Sequence, residues 1–304
     1  MPPTAEAPST YRALRYLAPN AITAASLVFG MVSVVSAHTG RWDLAGWMII
    51  YAVLTDRMDG FVARLVKGTS DFGVQLDSFA DFLNFGLAPS FLMYSFLTVH
   101  PALGFDHGWH RALLIVACIA WVMGAVFRLA RFNIAAEDGV PTKIFFGIPT
   151  TLAGGLLIIW YLAFLKYADP AVSTIEFGGA KIYGSVHTPQ GVWMWFPVAM
   201  LIGAALMASN LRMLKVGSFP NRAASAAVLV IVLGGYLGGF LRMYPELMVV
   251  PPTAWIVVFL IWGQTSAKVR GLEAPPVFPR AGDGKLHTRP QEDLAVDEDL
   301  DAEP

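Results

Sequence analysis

Eight stretches of the chain stay apolar for about 20 residues at a time, the length an α-helix needs to cross the hydrocarbon core of a bilayer. They lie near 18–37, 44–66, 76–99, 112–136, 148–166, 192–210, 223–241 and 250–267. Inside lipid the backbone has no water to bond to. Each stretch must therefore satisfy its own peptide groups, which a helix does and an open strand does not. The expected fold is all-α, a polytopic membrane bundle of about eight transmembrane helices. A soluble domain is excluded, because 14% charged residues cannot clothe 304 residues in a water-facing shell.

What charge there is has been sorted. The overall −1 hides +6 over residues 1–290, because 291–304 hold seven acids and no Lys or Arg. With the N-terminus inside, 16 of the 21 Lys and Arg fall on the cytoplasmic side, and only Arg41, Arg111, Lys166, Lys181 and Arg242 on the other. That asymmetry orients the bundle with both termini in the cytoplasm. The first 17 residues are polar and rich in Pro and Ala, and the run after them is too long for a signal peptide's apolar region. The single cysteine, Cys118, lies in an apolar run and is expected to pack or to touch lipid. The loop from Tyr167 to Gly191 has turn chemistry suited to capping the outer face. Trp42, Trp47, Trp109, Trp193, Trp195, Trp255 and Trp262 stand near helix ends, as interfacial anchors do. Gly234, Gly235, Gly238 and Gly239 form two overlapping G-xxx-G pairs, which favour close helix approach within the subunit or across a dimer. Nothing favours nucleic acid as a partner.

The second and third stretches carry acids and are expected to fail a strict hydropathy filter. Asp56 and Asp59 are three apart and Asp77 and Asp81 four apart, so each pair shares one helix face. The connection between the stretches is short. The helices are then antiparallel neighbours, and the two pairs meet at the same depth near the cytoplasmic ends. An acid at the bilayer centre costs roughly 2.5–3.5 kcal/mol on insertion scales, and four converging anions also repel. Arg57 follows Asp56 directly and points to another face. Hard divalent cations, Mg2+ or Mn2+, suit a four-carboxylate cage, and two of them form the usual clamp for in-line displacement at phosphorus. The small Gly60, Ala63 and Gly73 leave room beside the acids, and Arg64 can reach a phosphate at the rim. The rival reading is a set of buried ion pairs between two helices, which four acids with so few basic partners do not favour. A cation-coupled transporter also places acids within helices, but it calls for repeats with broken helices, and the sequence displays no such repeats.

The run from Asp56 to Asp81 reads D-x2-D-G-x2-A-R-x8-G-x3-D-x3-D. It resembles the signature of the CDP-alcohol phosphotransferases at every defined position. The resemblance implies a six-helix catalytic core in a homodimer, with its active site open to the cytoplasmic leaflet of a bacterial inner membrane. There a CDP-linked donor passes its substituted phosphate to an alcohol and releases CMP. It also implies that Asp56, Asp59 and Asp77 are chiefly metal ligands. Asp81 would both touch a metal and act as general base, while Gly60, Ala63, Arg64 and Gly73 would hold the cytidine nucleotide. Pro19-Asn20-Ala-Ile-Thr23 is similar to a stretch common at this position in the family, and Asn20 and Thr23 would serve the nucleotide.

The acceptor is read from the fourth stretch. Arg128-Leu-Ala-Arg131-Phe-Asn133, followed by Phe145-Phe-Gly147-Ile-Pro149, resembles the phosphatidylserine-synthase branch of the family, although Thr150 and Thr151 depart from its usual residues. Leu206-Met-Ala-Ser209-Asn210 resembles another element of that branch. That branch implies CDP-diacylglycerol and L-serine as substrates. Arg128 and Arg131 would bind serine's carboxylate or the donor diphosphate, with Asn133 assisting, or they would anchor the helix to anionic headgroups. Glycerol 3-phosphate, inositol phosphate and choline are the alternative acceptors. The resulting division is an N-terminal segment 1–17, a catalytic core 18–210, two further helices in 211–271, and an acidic, disordered tail 272–304.

Overall fold

A computed structural model of the chain describes residues 9–66, 70–137, 144–170, 175–214 and 222–266. The chain divides after Gly271 into two units, and the second, Leu272–Pro304, lies outside the described residues, with the expectation made for the tail.

The bundle is helical as expected. Its long helices are α1 (Ser9–His38), α2 (Trp42–Val66), α3 (Asp71–Asp81), α4 (Ala88–Val99), α5 (Gly108–Glu137), α6 (Thr150–Lys166), α7 (Trp195–Ala208) and α8 (Arg222–Phe240). A short α9 (Pro245–Met248) leads into α10 (Val250–Thr265). Five stretches are long and apolar enough to cross a membrane: Leu17–His38, Phe72–Val99, Gly108–Asn133, Gln190–Ala208 and Pro245–Thr265. Thr150–Lys166 and Ala226–Phe240 are shorter apolar helices. With α2, whose 25 residues extend about 37 Å, they make an integral membrane bundle.

The first span stands as expected, Leu17–His38 against 18–37, within a helix α1 that begins at Ser9 and carries Pro19 inside it. That proline removes one N–H donor and its ring crowds the carbonyl four residues back, yet the helix continues through it. Two expectations need correcting. The third stretch passes the hydropathy test, because its helix runs on to Val99 and gathers its acids at one end. Trp47 and Trp193 are not interfacial. Both are buried, Trp47 with its indole N–H on Phe177 O at 3.3 Å and Trp193 stacked on Phe196.

Two features had no counterpart in the sequence reading. Residues 82–87 form a π-helical turn between α3 and α4, directly after Asp81. Pro89 cannot donate to Phe85 O four residues back, which frees that carbonyl. The Trp121 indole N–H of α5 takes it at 2.8 Å, so the irregular turn leaves no orphan there. The second feature is a small antiparallel ladder, β1 (Ile144–Phe146) with β2 (Arg212–Leu214), in which Phe146 pairs with Arg212.

The four acids lie at one end of the bundle, which we call the carboxylate end, and the ladder lies there too. At the opposite end the loop through 175–189 caps α2, with Glu176 N–H on Asp43 Oδ2 at 3.0 Å. Lys166 is buried beneath this loop and donates to Glu246 Oε1 at 2.5 Å and Ala180 O at 2.8 Å. The Tyr167 hydroxyl donates to the same carboxylate oxygen at 3.0 Å. The loop is thereby tied to the segment leading into α10. Cys118 is half-buried where α5 meets Ser90 of α4.

Candidate active site

Helices α1, α2 and α3 build the acidic cluster. Asp56, Asp59 and Asp77 each offer a carboxylate oxygen, and these oxygens lie within 4.8 Å of one another. Asp81 stands one turn beyond Asp77, and its carboxyl group comes within hydrogen-bonding reach of Asp56. Two unit charges about 5 Å apart repel by about 3 kcal/mol at an effective dielectric near 20. The ion pairs among the described residues are His107–Asp106 and Lys166–Glu246, neither of which touches the cluster. Among the described side chains no cation pairs directly with these acids, and Arg57 and Arg128 act on them only at longer range. An all-oxygen set of converging carboxylates is the donor chemistry of a hard divalent cation, so the residues fit such an ion.

The cluster is held from outside. Thr23 of α1 is buried and donates its hydroxyl to Asp59 Oδ2 at 2.8 Å, with Pro19 O also near at 3.2 Å. The Gly60 N–H donates to Asp59 Oδ1 at 2.6 Å. Both oxygens of Asp59 are thus oriented. Thr151, in the first turn of α6, lies close to Asp56. Asn133 of α5 donates to Ser78 Oγ at 3.0 Å and so braces α3 between Asp77 and Asp81. Asn20 stands at the start of α3, where a Cβ on Gly73 would meet Asn20 Oδ1 at 2.8 Å. A side chain at 73 would displace the Asn20 amide from this position. Ala63 lies on α2 one turn beyond Asp59. The Arg64 side chain lies outside those described.

The two arginines of α5 part company. Arg131 is saturated: it donates to Asn210 Oδ1 at 2.8 Å, to Ser209 O at 2.8 Å, to Ala208 O at 3.4 Å and to Phe146 O. It ties α5 to β1 and to the segment that leads into β2. Gly147 follows with φ +78°, a backbone setting that favours glycine, and its N–H bonds Leu211 O at 2.7 Å. This turn delivers Thr150 and Thr151 to the carboxylates. Arg128 is also buried, between the rings of Phe132 and Phe145, but its Nε has no hydrogen-bond partner. Asp81 is near enough to feel its charge.

The arrangement thus has a cation site, a further carboxylate beside it and a buried guanidinium with a free donor. That is equipment for chemistry on a charged phosphoryl group. Thr151 and Ser78 were given no role from the sequence. Thr151 was visible only as a departure from a motif, and Ser78 carried no signal.

The sequence profile of the CDP-alcohol phosphatidyltransferase family matches residues 16–202. The chain belongs to that family. It is 38% identical over 152 residues to the CDP-diacylglycerol–serine O-phosphatidyltransferase of Helicobacter pylori, covering 50% of this chain and 60% of that protein. The enzyme of the same name from Mycobacterium tuberculosis strain H37Rv is 32% identical over 236 residues, 72% of this chain and 71% of the relative. The one from Bacillus subtilis is 30% identical over 187 residues, which cover 97% of it. The chain thus spans about 60% of the Helicobacter relatives' length. The matched segment takes in the acidic cluster, the Arg128 region and most of α7, while α8, α9 and α10 lie beyond it.

Proposed function

We propose that the chain transfers the phosphatidyl group of CDP-diacylglycerol to the hydroxyl of L-serine, giving phosphatidylserine and CMP. The observation that carries this reading is the convergence of Asp56, Asp59 and Asp77 beside Asp81, facing a buried Arg128 with an unpaired Nε. Relatives that share the name CDP-diacylglycerol–serine O-phosphatidyltransferase support the choice of donor and acceptor.

In this reading Asp56, Asp59, Asp77 and Asp81 would hold two divalent cations, Mg2+ or Mn2+, which when bound would supply neutralisation of the donor's diphosphate and of the charge on departing CMP. Thr23 and Gly60 hold Asp59 in a ligating orientation, and Thr151 stands beside Asp56. Asp81 accepts the proton of serine's hydroxyl as that oxygen bonds to the lipid-linked phosphorus. The bond from that phosphorus to the oxygen retained by CMP breaks on the opposite side. Arg128 binds serine's carboxylate or a phosphate oxygen through its free donor. Arg131 and Asn133 act indirectly, by fixing the ladder and α3. Asn20, Gly60, Ala63, Arg64 and Gly73 form the nucleotide side. The enzyme works as a homodimer in a bacterial cytoplasmic membrane, with its carboxylate end at the cytoplasmic face, a placement supported by the sorting of Lys and Arg.

The test is CMP release by the purified protein in detergent with CDP-diacylglycerol and Mn2+ or Mg2+, run with serine, glycerol 3-phosphate, inositol phosphate and choline. Release with serine is expected. Silence with every acceptor would refute the enzyme reading, and release with glycerol 3-phosphate alone would refute the acceptor.

A further inference from the structure

Helix α8 lies beyond the segment matched by the family profile, yet it reaches the acidic cluster. It runs antiparallel along α2. A Cβ on Gly239 would lie 3.2 Å from Ile50 Cγ2 and 3.3 Å from Leu54 Cδ1, so the two helices pack closely here. The Tyr51 hydroxyl donates to Phe240 O at 3.0 Å, and the two rings lean on each other. One turn back along α8, and correspondingly further along α2, stands Tyr236. It is half-buried and lies within electrostatic range of Asp56 and Arg57. Arg57 is exposed and forms no ion pair with any described carboxylate.

The other flanks of the cluster are already occupied. Helix α1 supplies Thr23 and Asn20, α3 supplies Asp77 and Asp81, α6 supplies Thr151, and α5 supplies Arg128. Besides Arg128 on the α5 side, the flank toward α8 presents two further donors among the described residues, the Arg57 guanidinium and the Tyr236 phenol. Beside them Leu233 and Leu237 of α8 and Met58 of α2 are exposed apolar side chains on a membrane-spanning surface. Donors next to a lipid-facing surface suit a ligand that joins a phosphate to acyl chains.

We propose that Tyr236 and Arg57 form a subsite for the diacylglycerol-linked phosphate of the donor, at the seam where its acyl chains leave the site for the bilayer. The proposal rests on the reaction given above and adds a residue from a helix outside the matched segment. Its chemistry is that of a phosphate ester on an acylated glycerol. A bystander anionic phospholipid carries the same group, and the experiment separates the two sources.

Tyr236→Phe and Arg57→Gln should each raise KM for CDP-diacylglycerol about tenfold, which corresponds to about 1.4 kcal/mol. KM for serine and inhibition by CMP, which lacks the lipid phosphate, should stay within twofold. Protection against thermal unfolding by CDP-diacylglycerol should weaken while protection by CMP persists, a readout that needs no turnover. A wild-type protein protected by CDP-diacylglycerol yet silent with every acceptor would sink the reaction and leave the subsite open to this binding arm. An unchanged donor KM and unchanged protection in both variants, or a parallel loss of CMP binding, would overturn the subsite. So would an effect present only in micelles containing phosphatidylglycerol. Should one variant misfold, the other decides.

Discussion

Replacing Thr23 by Val separates two roles for one buried hydroxyl. The sequence puts Thr23 beside the nucleotide, whereas the fold aims its hydroxyl at Asp59 Oδ2 from 2.8 Å. Valine has nearly the same volume, so packing survives at a position only 4% exposed. Asp59 keeps the Gly60 N–H on its other oxygen at 2.6 Å and loses the restraint on Oδ2. A hydrogen bond to a charged group contributes about 1.5–3 kcal/mol, which corresponds to roughly 10-fold to 150-fold in an equilibrium constant. Partners that orient a metal-binding carboxylate typically cost 10–100-fold when removed. The half-saturating Mn2+ concentration for CMP release should therefore rise by about tenfold or more. At saturating Mn2+, product inhibition by CMP should match wild type. An unchanged Mn2+ dependence with weakened CMP inhibition would refute the orienting role and return Thr23 to the nucleotide.

Asp81→Asn keeps the shape of the side chain but removes the proton acceptor, so turnover should vanish while the thermal unfolding midpoint stays near wild type. Detectable turnover at wild-type rate would remove Asp81 from its role. At the opposite end, Lys166→Met leaves the buried Glu246 carboxylate without its cation and should cost about 3–5 kcal/mol. The double variant with Glu246→Leu should recover most of that stability in thermal unfolding. A double variant no more stable than the single one would show that the ion pair is not the source of the loss.

The Asp56–Asp59 and Asp77–Asp81 pairs were legible because spacing along one helix fixes which residues share a face. The membrane class and the eight apolar stretches were legible for an equally local reason, since bilayer thickness sets a length that can be counted. Arg128 and Arg131, three apart, looked equivalent on that basis. The structure separates them, because Arg131 is consumed by Phe146 O, Ser209 O and Asn210 while Arg128 Nε is left unpaired. That difference depends on where the ladder closes, through residues far apart in the chain.

The sequence by itself determined an integral membrane bundle with four carboxylates on two neighbouring helix faces. Only the tertiary structure decided what holds those carboxylates. Thr23 reaches Asp59 across α1 and α2, Thr151 comes close to Asp56 from α6, and Tyr236 approaches from α8. The π-helical turn after Asp81 likewise depends on Trp121 of another helix accepting the role that Pro89 leaves open. The physical reason is the same in each case. Helical periodicity sets angles about one axis. The rotation and depth of one helix against the next come from the packing of all of them together.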